Sequence, residues 1–388
     1  MIDELRKLLE KSNISDRGIE ETLNACPAEI YFLDKKFISE NFPVAGLPEC
    51  ELANTLAFAE KMQSSRLMRL LAWHLYRNFA LTPMNEVENY PELIPALGYD
   101  TGLLYLLLLL AMIPHYKARA ERERFPEKYA FAAASRIGTL TIFFAQKHDG
   151  KFGIRARSMR FMLHFTNSAI FRIGRFDFMP VRDNNLPEIY GRGKEIIAFC
   201  NRNWFLDANG CQCDEAAACR KAEFTADEIQ VSGIPVNMET GLAEKNPVTI
   251  KFADGWQKIS GSGDWTVYFH IPGGGKMTPE VCESSFREVR EFFKSYYADR
   301  KFTLIWSNSW IFNPAWCDYL PDSNLTKLIK TGKLFPVRTT DKEGLYFVFG
   351  RDDDDFDSYT ATNSMQRAML KCRAERGLRR AGCFFPGF

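Results

Sequence analysis

Gly273, Gly274, Gly275 and Lys276, with His270 just ahead of them, are the residues whose types and spacing can do chemistry. Glycines leave the backbone bare, so their N–H groups can close on a phosphate or pyrophosphate, and the lysine adds positive charge. Thr278, Pro279 and Glu280 then read as a helix start: a hydroxyl cap, a proline at the first helical position and an acid in the first turn. Val281, Phe286, Val289, Phe292 and Phe293 fall mostly on one helical face. Upstream, residues 265–269 alternate bulky and β-branched side chains in the manner of a strand. Strand, bare loop and positive helix end make a pyrophosphate cradle on one reading and a ligand-free tight turn on the other.

Two named phosphate loops are excluded. A P-loop needs Ser or Thr after its lysine, but Met277 follows Lys276 and His270 stands where the first glycine belongs. A dinucleotide fingerprint needs a third glycine where Thr278 stands, and no βαβ repeat follows.

The elements that must hold this loop sit in a chain of 388 residues, long enough for two domains. Its 46% hydrophobic and 26% charged residues are those of a globular protein. A net charge of +1 argues against nucleic-acid and membrane-surface partners, which call for a marked basic excess. The ten cysteines, behind a charged helical N-terminus with no secretion pattern, read as free thiols in the reducing cytoplasm. The most apolar run, residues 102–113, is too short to span a bilayer and reads as a buried helix.

Residues 1–153 carry helical periodicity throughout, over 2–10, 15–26, 27–40, 48–79, 90–116 and 126–146. The polar, glycine-bearing stretch 147–157 places the domain boundary between residues 153 and 154. Beyond it, 158–173 reads as a helix and 175–181 and 195–205 as strands, with a hairpin turn at 207–210. Short strands are expected at 229–231, 248–252 and 302–307, a helix at 364–376, and two final strands at 334–338 and 345–349. The fold class is therefore α+β, an all-α first domain followed by a mixed-sheet second domain. Cys211, Cys213 and Cys219 lack a histidine at metal spacing and read as free loop thiols, so no metal is expected. The acidic run at 352–355 lacks the glycine and distal glutamate of a calcium loop.

Residues 164–178 (HFTNSAIFRIGRFDF), 270–293 (HIPGGGKMTPEVCESSFREVREFF), 307–324 (SNSWIFNPAWCDYLPDSN) and 360–370 (TATNSMQRAML) carry a family resemblance. Together they resemble bacterial acyltransferase-domain proteins that join a helical N-acyltransferase N-terminal domain, here 1–153, to a GNAT-like C-terminal domain, here 154–388. That resemblance implies an acyl-CoA cosubstrate, acetyl-CoA or longer, and a small-molecule or peptide amine as acceptor. It implies a coenzyme diphosphate on Gly273, Gly274, Gly275, Lys276 and Thr278, and a pantetheine arm between the central strand and the next, along Val267 to Phe269, with Phe269 and Ile271 among the cofactor-binding residues. His270-Ile271-Pro272 departs from the Arg- or Gln-led signature usual in that fold.

Acyl transfer to an amine needs a base for the amine proton, a donor for the carbonyl oxygen and a proton or solvation for the thiolate. His270 is the candidate base, Ser309 a contact for the substrate amide or thiolate, and Tyr319 the candidate proton donor. Structural roles stand beside each: an imidazole bonded to the loop, a strand-end hydroxyl and a packed phenol. Cys282, in the first helical turn, would need a lowered pKa to act as a nucleophile. A GNAT-like module that binds acyl-CoA without turnover is the alternative to an enzyme.

Overall fold

The computed structural model describes residues 1–167 and 170–388; Ser168 and Ala169, within the expected helix 158–173, lie outside the described residues. The chain divides into two units, Met1–Ile173 with Pro272–Gly274, and Gly174–Ile271 with Gly275–Phe388. The division comes later than the compositional boundary at 153, so the helix Ala156–Asn167 belongs to the first unit.

The first unit is helical. The long periodic stretch 48–79 is two helices, Leu52–Ser64 and Arg66–Ala80, because Ser65 is extended and its hydroxyl accepts from Met68 N–H to cap the second. The segment expected from residue 15 starts only at Ile19, behind Gly18 in the left-handed region. Residues 104–112 have no exposed surface, which at about 1.5–3 kcal/mol per buried leucine makes this run the centre of the unit's core. Thr101–Glu123 is long and apolar enough to cross a membrane, yet 78% of its most apolar window is buried inside the protein. It behaves as a core helix.

Close backbone approach explains one glycine. Gly138, in the helix Lys128–Lys147, donates to Ala45 O at 2.9 Å, and a Cβ there would lie 2.4 Å from Gly46 O. Buried Arg119 ties the unit's end together by donating to the carbonyls of Phe165 and Ile170 at 2.8 and 3.0 Å. Past the undescribed pair, Phe171–Ile173 is a strand rather than the end of a helix.

In the second unit the main sheet runs Phe176–Arg182, Trp265–His270, Phe302–Ser309, Ala381–Pro386, Lys333–Phe335. Among these five strands only the pair Trp265–His270 and Phe302–Ser309 is parallel, and the helix Pro279–Tyr296 makes the crossover between them. Alternation puts Phe176, Phe178 and Phe269 on one face, where Phe286 of that helix stacks on Phe176 at 5.3 Å and meets Phe269 at 5.4 Å. Phe385 closes the cluster at 4.7 Å from Phe286. The opposite face packs Tyr268 and Trp306 against Trp204 and Phe335. Short strands paired into small antiparallel sheets are spread through residues 188–260.

Several expected strands change. The strand from 195 stops at Phe199, because Asn201 turns the chain by accepting from Asn203 N–H at 2.9 Å. The strand from 334 is only Lys333–Phe335, since Pro336 has no N–H for the ladder. Leu345–Phe349 is a helical turn between left-handed Gly344 and Gly350, not a strand. Its expected place in the sheet belongs to Ala381–Pro386, where a Cβ on Gly382 would be 2.2 Å from the Phe335 ring.

Candidate active site

The site begins where two strands part. The parallel ladder matches Trp265 to Phe302, then Val267 to Ile305, so three residues on one strand oppose two on the other. That bulge increases local twist, and pairing ends at Tyr268 and Trp306. The outer ladders continue: Phe269 and His270 still pair with Phe178 and Asp177, and Ser307–Ser309 with Cys383–Ala381. Each strand is held from outside while the inner edges separate.

The chain then leaves the central strand through the glycine loop. Gly274 and Gly275 have φ of +70° and +73°, consecutive left-handed residues that only glycine adopts without strain. Among the described residues, no acceptor takes the backbone N–H of Gly273, Gly274, Gly275, Lys276, Met277 or Thr278. Lys276 is exposed. Thr278 Oγ1 accepts from Val281 N at 3.4 Å and Pro279 occupies the first position of the helix, as expected. Hydrogen bonding to Thr278 also holds the exposed Glu280 carboxyl below its ordinary range, so an anion is better placed on the loop than on this first turn.

Arg175 is a site residue that the sequence reading missed. It is buried, its backbone N–H donates to Ser285 Oγ at 2.8 Å, and a Cβ on Gly275 would stand 3.5 Å from its Nε. A guanidinium therefore flanks the loop. The available signal was a charge opening an aromatic strand, at the arginine of GRFDF. The same guanidinium lowers the Cys282 thiol pKa, but burial dominates and pushes it up to about 11, the reverse of what a nucleophile needs.

His270 ends the central strand, half-buried, with the Tyr268 ring edge-on at 4.9 Å. Tyr268 Oη lies 3.4 Å from both the backbone carbonyl and Oδ1 of Asn308, and burial raises its pKa. Ser309, on the other arm of the split, accepts from Ile311 N at 3.2 Å and caps the turn Trp310–Phe312. Phe269 is buried in the phenylalanine cluster and Ile271 is half-buried. His270, Ile271, the glycine loop and Thr278 are contiguous. Tyr319 is engaged elsewhere: its hydroxyl donates to Glu375 at 2.7 Å, a bond that pushes its pKa up to about 12.

A parallel central pair that parts ahead of a bare loop and a capped helix, flanked by antiparallel strands, defines a GNAT-like domain. The sequence agrees: residues 170–382 match the GNAT-like C-terminal domain family, and the chain belongs to it. No curated protein matches the chain. Among solved structures, a mutant acyltransferase in complex with octanoyl-CoA is similar over 98% of this chain and 99% of its own, with a TM-score of 0.61 at 15% identity. An acyltransferase in complex with decanoyl-CoA and teicoplanin gives the same coverage, TM-score and identity. The shared fold thus runs through both units.

Proposed function

We propose that this protein is a cytoplasmic enzyme that transfers an acyl group from an acyl-CoA thioester to an amine of a small molecule or peptide. The observation that carries this reading is the row of unoccupied N–H groups over residues 273–278, at the end of a strand that has parted from its parallel neighbour. Such a row suits a diphosphate, and the parted edges suit an extended pantetheine arm, whose amides complete a strand edge as a peptide does. Similar acyltransferases solved with octanoyl-CoA, decanoyl-CoA and teicoplanin support a thioester donor and a peptide-like acceptor.

In the reaction the amine nitrogen attacks the thioester carbonyl carbon, forming the C–N bond while His270 takes the amine proton. A backbone N–H within residues 269–271 donates to the carbonyl oxygen as it turns negative. The C–S bond then breaks and its electron pair leaves on sulfur. The thiolate takes a proton from solvent; Tyr319 would first have to release Glu375. Ser309 is the contact for the acceptor on the far arm, and the scheme uses no metal.

Thermal-shift titration with CoA, acetyl-CoA, octanoyl-CoA and decanoyl-CoA, followed by thiol release across an amine panel, tests the reading. Stabilisation with amine-dependent thiol release is expected. Absence of stabilisation by every thioester overturns it, and stabilisation without thiol release makes the protein an acyl-CoA-binding module.

A further inference from the structure

The ladder between Phe176–Arg182 and the central strand sets His270 directly opposite Asp177. Opposed residues of an antiparallel pair share a face, with Cβ atoms about 4.5–5.5 Å apart. Phe176 and Phe178 face the helix Pro279–Tyr296, so Asp177 lies on the opposite face, with Tyr268 and His270. Asp177 has no exposed surface. A carboxylate is a costly group to bury in a strand whose neighbours are phenylalanines. Its presence at the one register position facing the end-of-strand histidine calls for a function.

We propose that Asp177 is a positioning residue for His270: its carboxylate accepts the imidazole Nδ1–H, which fixes the ring and makes Nε2 the nitrogen that takes a proton. This rests on the reading of His270 as the base that takes the amine proton. A carboxylate behind an imidazole holds the productive tautomer and stabilises the imidazolium that forms. Other ionisable groups near this end of the sheet are Tyr268, whose ring meets His270, Arg175, two residues before Asp177 and beside Gly275, and Arg172 on the preceding strand Phe171–Ile173. The strand across the split contributes the neutral Ser307, Asn308 and Ser309 at this end.

Histidine-selective ¹⁵N labelling tests this in the full chain, with the His270 signal assigned by its loss in His270→Gln. In the wild type, neutral His270 should carry its proton on Nδ1; a proton on Nε2 overturns the proposal without any variant. In Asp177→Asn the protonation midpoint of His270 should fall by about one pH unit or more, since the opposite charge has gone. An unchanged midpoint overturns it. With turnover in hand, Asp177→Asn should lower kcat on the order of 10²–10⁴-fold while acyl-CoA affinity stays within about twofold. Equal loss of kcat and affinity would mark Asp177 as merely structural. A proton on Nδ1 and a shifted midpoint in a protein that transfers no acyl group would sink the enzyme reading and spare the pair. Transfer with an unchanged midpoint would do the reverse.

Discussion

Tyr268 and Trp306 are the last residues paired between the two parallel strands, and their rings meet edge to face at 4.8 Å. Trp306 Nε1 also donates to Thr266 Oγ1 at 2.9 Å, so the strands are pinned just before they part. Past that pin, the distance between the strands is set by their outer neighbours. The site's geometry is therefore decided by four strands together.

Gly274→Val should abolish the cradle without unfolding the protein. Nothing lies within 4 Å of a Cβ there, so sterics are mild, but φ is +70°. Forcing a β-branched residue into that region costs about 1–3 kcal/mol, and the loop relaxes instead, turning its N–H groups away. Calorimetry should give an acyl-CoA affinity about tenfold or more weaker, with little change in Tm. Unchanged affinity would show that the loop is only a turn.

Removing the imidazole should separate chemistry from binding. In His270→Ala, kcat is expected to fall on the order of 10²–10⁴-fold, with KM for acyl-CoA nearly constant. Steady-state kinetics at saturating amine gives both numbers; wild-type kcat in the variant would exclude His270 as the base.

Arg175→Met should weaken binding of any ligand that carries the diphosphate and leave others alone. Losing a hydrogen bond to a charged group costs about 1.5–3 kcal/mol, or about tenfold to a hundredfold in affinity. CoA affinity should drop accordingly while an S-acyl-pantetheine binds as before. Equal loss for both would place Arg175 in the folding of the strand rather than at the phosphate.

Cys282 should be chemically quiet at neutral pH. With its pKa pushed up to about 11, the neutral thiol predominates below that value. Its thiolate fraction at pH 7.5 is only on the order of one in several thousand. Mass spectrometry after iodoacetamide treatment should find the exposed Cys50 and Cys219 modified and Cys282 intact, with Cys282 labelling rising about tenfold per pH unit. Cys282→Ser should keep full turnover.

Gly138→Ala inverts an ordinary expectation. In a helix interior this change gains about 1 kcal/mol. Here the new Cβ would press on Gly46 O at 2.4 Å, a backbone atom that cannot swing aside. Overpacking costs about 1–3 kcal/mol, so Tm should fall by several degrees; a rise would show that the two segments can separate freely.

Much of this site was legible locally. The cap at Thr278, the proline behind it and the bare loop depend on backbone rules that act within a few residues, and they stand where the pattern put them. The strand ending at His270 and the helix Ser364–Arg376 follow from periodicity alone. Leu345–Phe349 was misread because alternating Leu345, Phe347 and Phe349 fit a period of two. Its flanking glycines turn the chain at both ends, and the sheet position went to a segment containing Gly382 and Pro386, residues that propensity assigns to turns. Arg175 and Asp177 went unnoticed because each is an ordinary charge in sequence. Only burial makes them costly.

The amino-acid order by itself determined the division into a helical part and a mixed-sheet part, the loop with its backbone groups laid bare, and the helix beginning behind it. Short-range sterics and hydrogen bonding act on neighbouring residues, so no distant contact is needed to specify them. Tertiary structure alone decided that the parallel strands part after Tyr268 and that Arg175 reaches Gly275. It alone set Asp177 across from His270. These are matters of register between segments far apart in the chain, and a shift of one residue would send each of those side chains to the other face of the sheet.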